Sequence, residues 1–176
     1  MIYELLKETD PLLQQRMDIF NLVNPPMDPD ELEETLIENM NYYNGVGLSS
    51  NQIGLPYKVF TMLHEGQPIT LFNPRIVDES DEYVPEVEGC LSYPGLFVKV
   101  MRPKSVTVQY YDKNKEQFQG FFSELSARII LHEMDHMMGN TFYDMASNFH
   151  LSQARKKRKI NLRKMKKENH VLLKKV

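Results

Sequence analysis

The chain has 176 residues, is 41% apolar by composition and carries a formal charge of −3. That suits one compact unit with a sizeable core. It contains no run of about twenty apolar residues and no charged-then-apolar leader, which argues against a membrane span or secretory signal, and its one cysteine, Cys90, allows no intramolecular disulfide and fits a reducing cytoplasm.

Asp28-Pro29-Asp30-Glu31 supplies a helix cap, a proline at the first helical position and a glutamate at the third. Leu32, Leu36, Met40 and Tyr43 follow at helical spacing, and Asn44-Gly45 ends the helix. Residues 58–64 and 69–73 are strand-like, as are residues 104–112 and 116–122, which Asp112-Lys113-Asn114-Lys115 joins as a hairpin turn.

A third region reads as a helix of about four turns, with Ser123 as its cap and Gly139 as its stop. Leu125, Ile129, His132 and His136 recur along it at spacings of four, three and four, which puts both histidines on the stripe facing the core. His132, Glu133 and His136 also form an H-E-x-x-H run. On a helix, positions i and i+4 stack, so the two imidazoles grip one cation while the carboxylate faces the same site. A catalytic cation usually takes three protein ligands and keeps one position open. Downstream of His136 the sequence offers only Glu168, set among lysines, and His150 and His170. Upstream, Cys90 in Glu88-Gly89-Cys90-Leu91-Ser92-Tyr93-Pro94-Gly95 is the better candidate, although a single cysteine is more often a small core residue. His64, His150 and His170 receive no role. Tyr93 to Phe97, just beyond Cys90, are placed to border a groove.

Three segments now carry a specific resemblance: Gly45-Val46-Gly47-Leu48-Ser49-Ser50-Asn51-Gln52, then Glu88-Gly89-Cys90-Leu91-Ser92, then His132-Glu133-Met134-Asp135-His136. In order and spacing they resemble the three signature motifs of the peptide deformylases, over roughly residues 1 to 145. The resemblance implies a metal held by Cys90, His132 and His136, with Glu133 as the catalytic carboxylate. It also implies that the Gln52 side chain and the Leu91 N–H bind the formyl oxygen. The metal it implies is ferrous iron, while a thiolate and two imidazoles also suit zinc. The implied reaction is removal of the formyl group from N-formyl-methionyl nascent peptides, with release of formate. An apolar pocket for the methionine side chain is expected from Gly45, Val46, Gly47, Leu125 and Ile129, with His132 at its base. The chain departs from the family at Ser49 and Ser50, where alanines are usual, and at Leu131, where glutamine is common. A buried hydroxyl needs a partner, so the wall near Gln52 is expected to be wired differently.

The expected fold is α+β, with antiparallel strands wrapped around the H-E-x-x-H helix and the extended Cys90 segment beside it. Residues 1–150 form the expected catalytic unit and residues 151–176 a basic extension. That extension holds eleven Lys/Arg and one acid, for +10, against −13 on the rest. Leu151, Ala154, Arg158, Leu162, Met165, Asn169, Leu172 and Val176 follow three- and four-residue spacings, which predicts a helix with an interrupted apolar stripe, not a secure part of a monomeric core. Its charge suits a polyanionic partner, the ribosome by resemblance, or else a solvated appendage. A zinc peptidase is disfavoured because no suitable ligand follows His136. A ribosome- or RNA-binding protein on a dead enzyme scaffold is disfavoured because ligands, base and glutamine are all present.

Overall fold

The computed structural model describes residues 1–173, with side chains through residue 167. Helix α1 spans Pro29–Tyr42, and the Asp28 side chain accepts a hydrogen bond from the Asp30 N–H, as its cap sequence predicts. Seven strands follow: β1 (Gly47–Ser49), β2 (Val59–His64), β3 (Gln67–Glu79), β4 (Tyr83–Glu88), β5 (Val98–Pro103), β6 (Ser105–Tyr111) and β7 (Gln117–Ser123). Helix α2 spans Glu124–Met138 and α3 spans Asn148–Leu173. Five strands form one antiparallel sheet in the order β1-β2-β3-β6-β7, and β4 pairs with β5 in a separate antiparallel ribbon. The α+β expectation therefore holds, with α2 enclosed by both sheets.

Strand β2 shows how the layers are built. Its residues point alternately to the two faces, and both faces are covered. Phe60 and Met62 pack with Ala127, Ile130, Leu131 and Met137 of α2, while Val59 and Leu63 pack with Leu32, Leu36 and Met40 of α1. A third cluster, of Tyr93, Leu96, Val98, Val100 and Phe142, lies beside α3 and includes its Ala154.

Several expectations need correction. Strand β3 runs well past residue 73, but it is broken there. Asn73 sits at φ 52° before Pro74, and the register with β6 shifts between Phe72 and Arg75. The Asn73 side chain accepts from the Phe20 N–H and donates to the Phe20 carbonyl, which pins the N-terminal arm. Strand β4 has no readable apolar alternation because only Glu88 is buried along it. The Cys90 segment is not extended: β4 ends at Glu88, and the Cys90 carbonyl accepts from the Tyr93 N–H to make a turn. Ser123 stands at the start of α2 without a side-chain capping bond. Leu125 is 60% exposed, so of the expected stripe only Ile129, His132 and His136 face the core.

The expected tail helix falls within α3, which begins earlier, at Asn148, and is described as far as Leu173, and it is seated on the body. Ala154 is buried, Leu151 and Leu162 are half-buried, and Arg158 reaches Glu8 at 2.6 Å. Helix α3 is therefore part of the packed structure over its described first turns. The side chains of Asn169, Leu172 and Val176 in the predicted stripe lie outside those described.

Candidate functional site

Helix α2 presents His132, Glu133 and His136, all buried, toward the turn that follows β4. Ligand atoms of Cys90, His132 and His136 lie within 4.8 Å of one another. The Cys90 Sγ is 3.2 Å from His136 Nε2. The other nitrogen of His132, Nδ1, is 3.1 Å from Glu88 Oε2, which leaves Nε2 for the site. This is the usual arrangement of a metal-binding histidine, oriented by a carboxylate on its far nitrogen. A thiolate, two imidazoles and an outer carboxylate fit a divalent cation in both donor chemistry and spacing.

Sequence reasoning missed the charged group behind these three side chains. Glu88 Oε1 accepts from Arg102 Nε at 2.9 Å and Arg128 Nη1 at 2.7 Å, and Oε2 accepts from Arg102 Nη2 at 2.9 Å. Arg102 also pairs with Asp135 at 2.7 Å, while Arg128 donates to the Val84 and Val100 carbonyls. Burial by itself raises the Glu88 carboxyl, but hydrogen bonds from His132 and Arg102 and their charges outweigh it and hold the pKa at about 2. A signal was present: Arg128 interrupts the apolar run Ala127 to Leu131, and a buried arginine requires an acid.

The two histidines are set apart electrostatically. Burial opposes a proton on His132, but the Cys90 sulfur and Glu88 outweigh it, so its pKa is raised well above the ordinary value. Burial and the neighbouring His132 charge push His136 the other way. Burial also lifts Glu133 to about 7, although His132 and Ser49 pull against it. Its Oε2 is buried without a partner among the described residues. Gly47 makes room for this carboxylate: a Cβ there would meet Glu133 Oε1 at 2.6 Å and Ile129 Cγ2 at 2.8 Å.

Gln52 is aimed by Ser49, the first of the two serines that mark the first segment. Its Oε1 accepts from the Ser49 N–H at 3.0 Å and lies 3.0 Å from the Ser49 hydroxyl. That hydroxyl is also 2.8 Å from Asn51 Oδ1, and its single proton serves one acceptor at a time. With Oε1 so held, Nε2 points at Ser92 Oγ (3.2 Å) and Cys90 Sγ (3.5 Å). Asn51 in turn donates to the His136 carbonyl at 3.1 Å, tying this segment to α2. The Ser50 hydroxyl donates to the Tyr57 carbonyl. Both expected partners for the buried hydroxyls thus come from neighbouring protein groups.

A groove of about 380 Å³ opens beside these residues. Gly45, Val46, Gly47, Leu91, Leu125 and Ile129 all line it, together with Gln52, Cys90, His132 and Glu133. The residues from Tyr93 to Phe97 border it as expected. Val46, like Leu125, is exposed rather than buried, so the two stand at the mouth while Ile129 and His132 lie deeper. The Leu91 N–H donates to no partner among the described residues. His64 lies elsewhere, against Ser126 and Phe122.

Residues 2–152 match the family described as polypeptide deformylase. The chain is 38% identical over 151 residues to the chloroplastic/mitochondrial peptide deformylase 1B of Arabidopsis thaliana, a match covering 80% of this chain and 53% of that protein. It is 40% identical over 111 residues to the peptide deformylase of Borreliella burgdorferi, covering 62% of this chain and 67% of that one. Its fold is similar to the crystal structure of the Thermotoga maritima peptide deformylase, with a TM-score of 0.79 and 31% identity across 84% of this chain and 99% of that one.

Proposed function

The chain belongs to the peptide deformylase family, a family of metal-dependent hydrolases that remove the N-formyl group from nascent peptides, and from that premise we propose how its own residues divide the work. Cys90, His132 and His136 hold one divalent cation, Glu133 moves the proton, and Gln52 with the Leu91 N–H receives the formyl oxygen. The observation that carries this reading is the convergence of three ligand atoms within 4.8 Å beside a buried carboxylate oxygen that has no partner among the described residues.

When bound, the cation supplies the positive charge that acidifies a water at neutral pH. Glu133, whose burial raises its proton affinity, takes the proton as the water oxygen attacks the formyl carbon. Negative charge then gathers on the formyl oxygen, where the Gln52 Nε2 and the Leu91 N–H are positioned donors. Because the Ser49 N–H holds Oε1, little reorganisation of Gln52 is needed. Glu133 returns the proton to the departing nitrogen as the C–N bond breaks, giving formate and a free amine.

The methionine side chain fits the groove between Gly45, Val46, Gly47, Leu125 and Ile129. We take ferrous iron as the working metal, on family resemblance, with zinc acceptable to the same donors. The catalytic unit is residues 1–150 and the basic helix its extension, whose outward lysines and arginines suit ribosomal RNA in the cytoplasm. No helix among the described residues is long and apolar enough to cross a membrane.

Formate release from formyl-Met-Ala and formyl-Ala-Ala tests the reading. Loss of apolar contacts in such a pocket is worth about tenfold or more, so the methionyl peptide should be favoured by at least that in kcat/KM. Equal turnover of both removes the pocket, and no formate from either removes the assignment of the reacting residues.

A further inference from the structure

We propose that helix α3 forms the outer wall of the substrate groove, with Met165 as a specificity residue that contacts apolar side chains beyond the second residue of the formyl peptide. This rests on the deformylase reading above and extends it to a part of the chain that no signature segment covers.

Three observations converge. First, Met165 lines the same groove as Glu133 and Cys90 although it is far from them in sequence. Second, exposed large apolar side chains gather there: Val46, Val87, Phe97, Leu125 and Met165 are all exposed, and all face this one groove. Scattered exposed apolar residues need no explanation, but a group of them around one cleft marks a contact surface. Third, α3 is fixed in place at that point. Arg158 Nε donates to the Pro94 carbonyl at 3.1 Å, and Asn161 Nδ2 donates to the Gly95 carbonyl at 3.0 Å. Gly95 has φ +74° and packs so closely that a Cβ there would meet Leu162 Cγ at 2.9 Å. Arg158 also pairs with Glu8, so the helix is tied both to the turn after Cys90 and to the N-terminal arm.

The groove therefore has a buried floor and an exposed rim. Gly47, Ile129, His132 and Glu133 surround the reacting carbon and the first side chain. Val87, Phe97 and Met165 stand at the rim, where later residues of an anchored peptide leave the site. Apolar side chains at those later positions gain a contact from Met165 that a dipeptide is too short to reach. The basic helix thus serves the substrate directly, besides any surface it offers to a polyanion.

The test uses the full-length metal-loaded enzyme, with kcat and KM measured on formyl-Met-Ala and on formyl-Met-Ala-Leu-Phe for the wild type, Met165→Ala and Met165→Leu. We expect Met165→Ala to lower the tetrapeptide-to-dipeptide ratio of kcat/KM by roughly tenfold, the low end for an apolar contact in an enzyme pocket. The loss should lie in KM, because a rim contact is made equally in the ground and transition states. Met165→Leu should restore most of the ratio. An unchanged ratio with normal formate release overturns this proposal and leaves the deformylase reading intact, as does an equal loss on both peptides. Absence of formate from either peptide with the wild type overturns both.

Discussion

Replacing Glu88 by Gln should damage the fold and the metal site together. Glu88 is 5% exposed at its side chain and is the shared partner of Arg102, Arg128 and His132. The amide keeps the shape but removes the charge, and leaves two buried guanidinium groups short of one anion. Breaking a buried pair in this way costs about 3–5 kcal/mol. Arg102 still has Asp135 at 2.7 Å, and Arg128 keeps Glu86 at 3.4 Å and two carbonyls, so the loss should fall at the low end, near 3 kcal/mol. For a chain of this size that lowers Tm by about 6–12 °C. His132 also loses the carboxylate that orients its ring, which should weaken metal affinity by about 10- to 100-fold. Calorimetry of the apo and loaded forms and a competition titration with a chelator read both effects. Glu86→Gln is the control, since Glu86 is 57% exposed and a pair of that kind contributes at most about 1 kcal/mol. A Tm within about 2 °C of wild type together with unchanged metal affinity would refute the view that Glu88 holds this centre together.

Glu133→Gln should lower kcat by at least about 100-fold, the smaller end of general acid–base effects, while metal content by atomic absorption stays at the wild-type level; substantial residual turnover would give the proton to another group. Gly47→Ala drives a methyl into Glu133 Oε1 and Ile129, so it should destabilise by about 1–3 kcal/mol and depress kcat more than KM; unaltered kinetics would mean that the carboxylate has freedom the packing denies it. Charge removal from the outward face of α3, at Lys156, Lys159, Arg163 and Lys167, should weaken ribosome co-sedimentation and flatten its salt dependence without altering formyl-Met-Ala turnover. Binding that ignores both salt and these four residues would assign the basic face no such partner.

Helix α1 was readable because its cap, stop and apolar spacing agreed, and α2 because Ser123 and Gly139 bracket it, although Ser123 makes no capping bond and Leu125 is exposed. Strands β6 and β7 were readable for a similar reason, with a polar turn between two strand-like runs. The β4-β5 ribbon was not readable as a pair, since β4 is solvent-exposed over most of its length and contains Pro85, so burial wrote no alternation into it. The site divided along the same line. Cys90, Gln52 and the H-E-x-x-H residues stand in short local motifs, whereas Glu88, Arg102 and Arg128 meet only through tertiary packing. The groove-facing side of α3 was read from spacing as an apolar stripe with no place to go. Its place is the turn at Pro94-Gly95, which local sequence does not identify.

The most direct test measures metal content and formate release on the same anaerobically purified samples, for the wild type and Cys90→Ala. If Cys90, His132 and His136 hold the catalytic cation, the wild type should carry about one divalent ion per chain, predominantly iron, matching the one three-donor cluster among the described residues; Cys90→Ala should lose both the ion and the formate signal. Full formate release by metal-free Cys90→Ala protein would contradict the account at its centre.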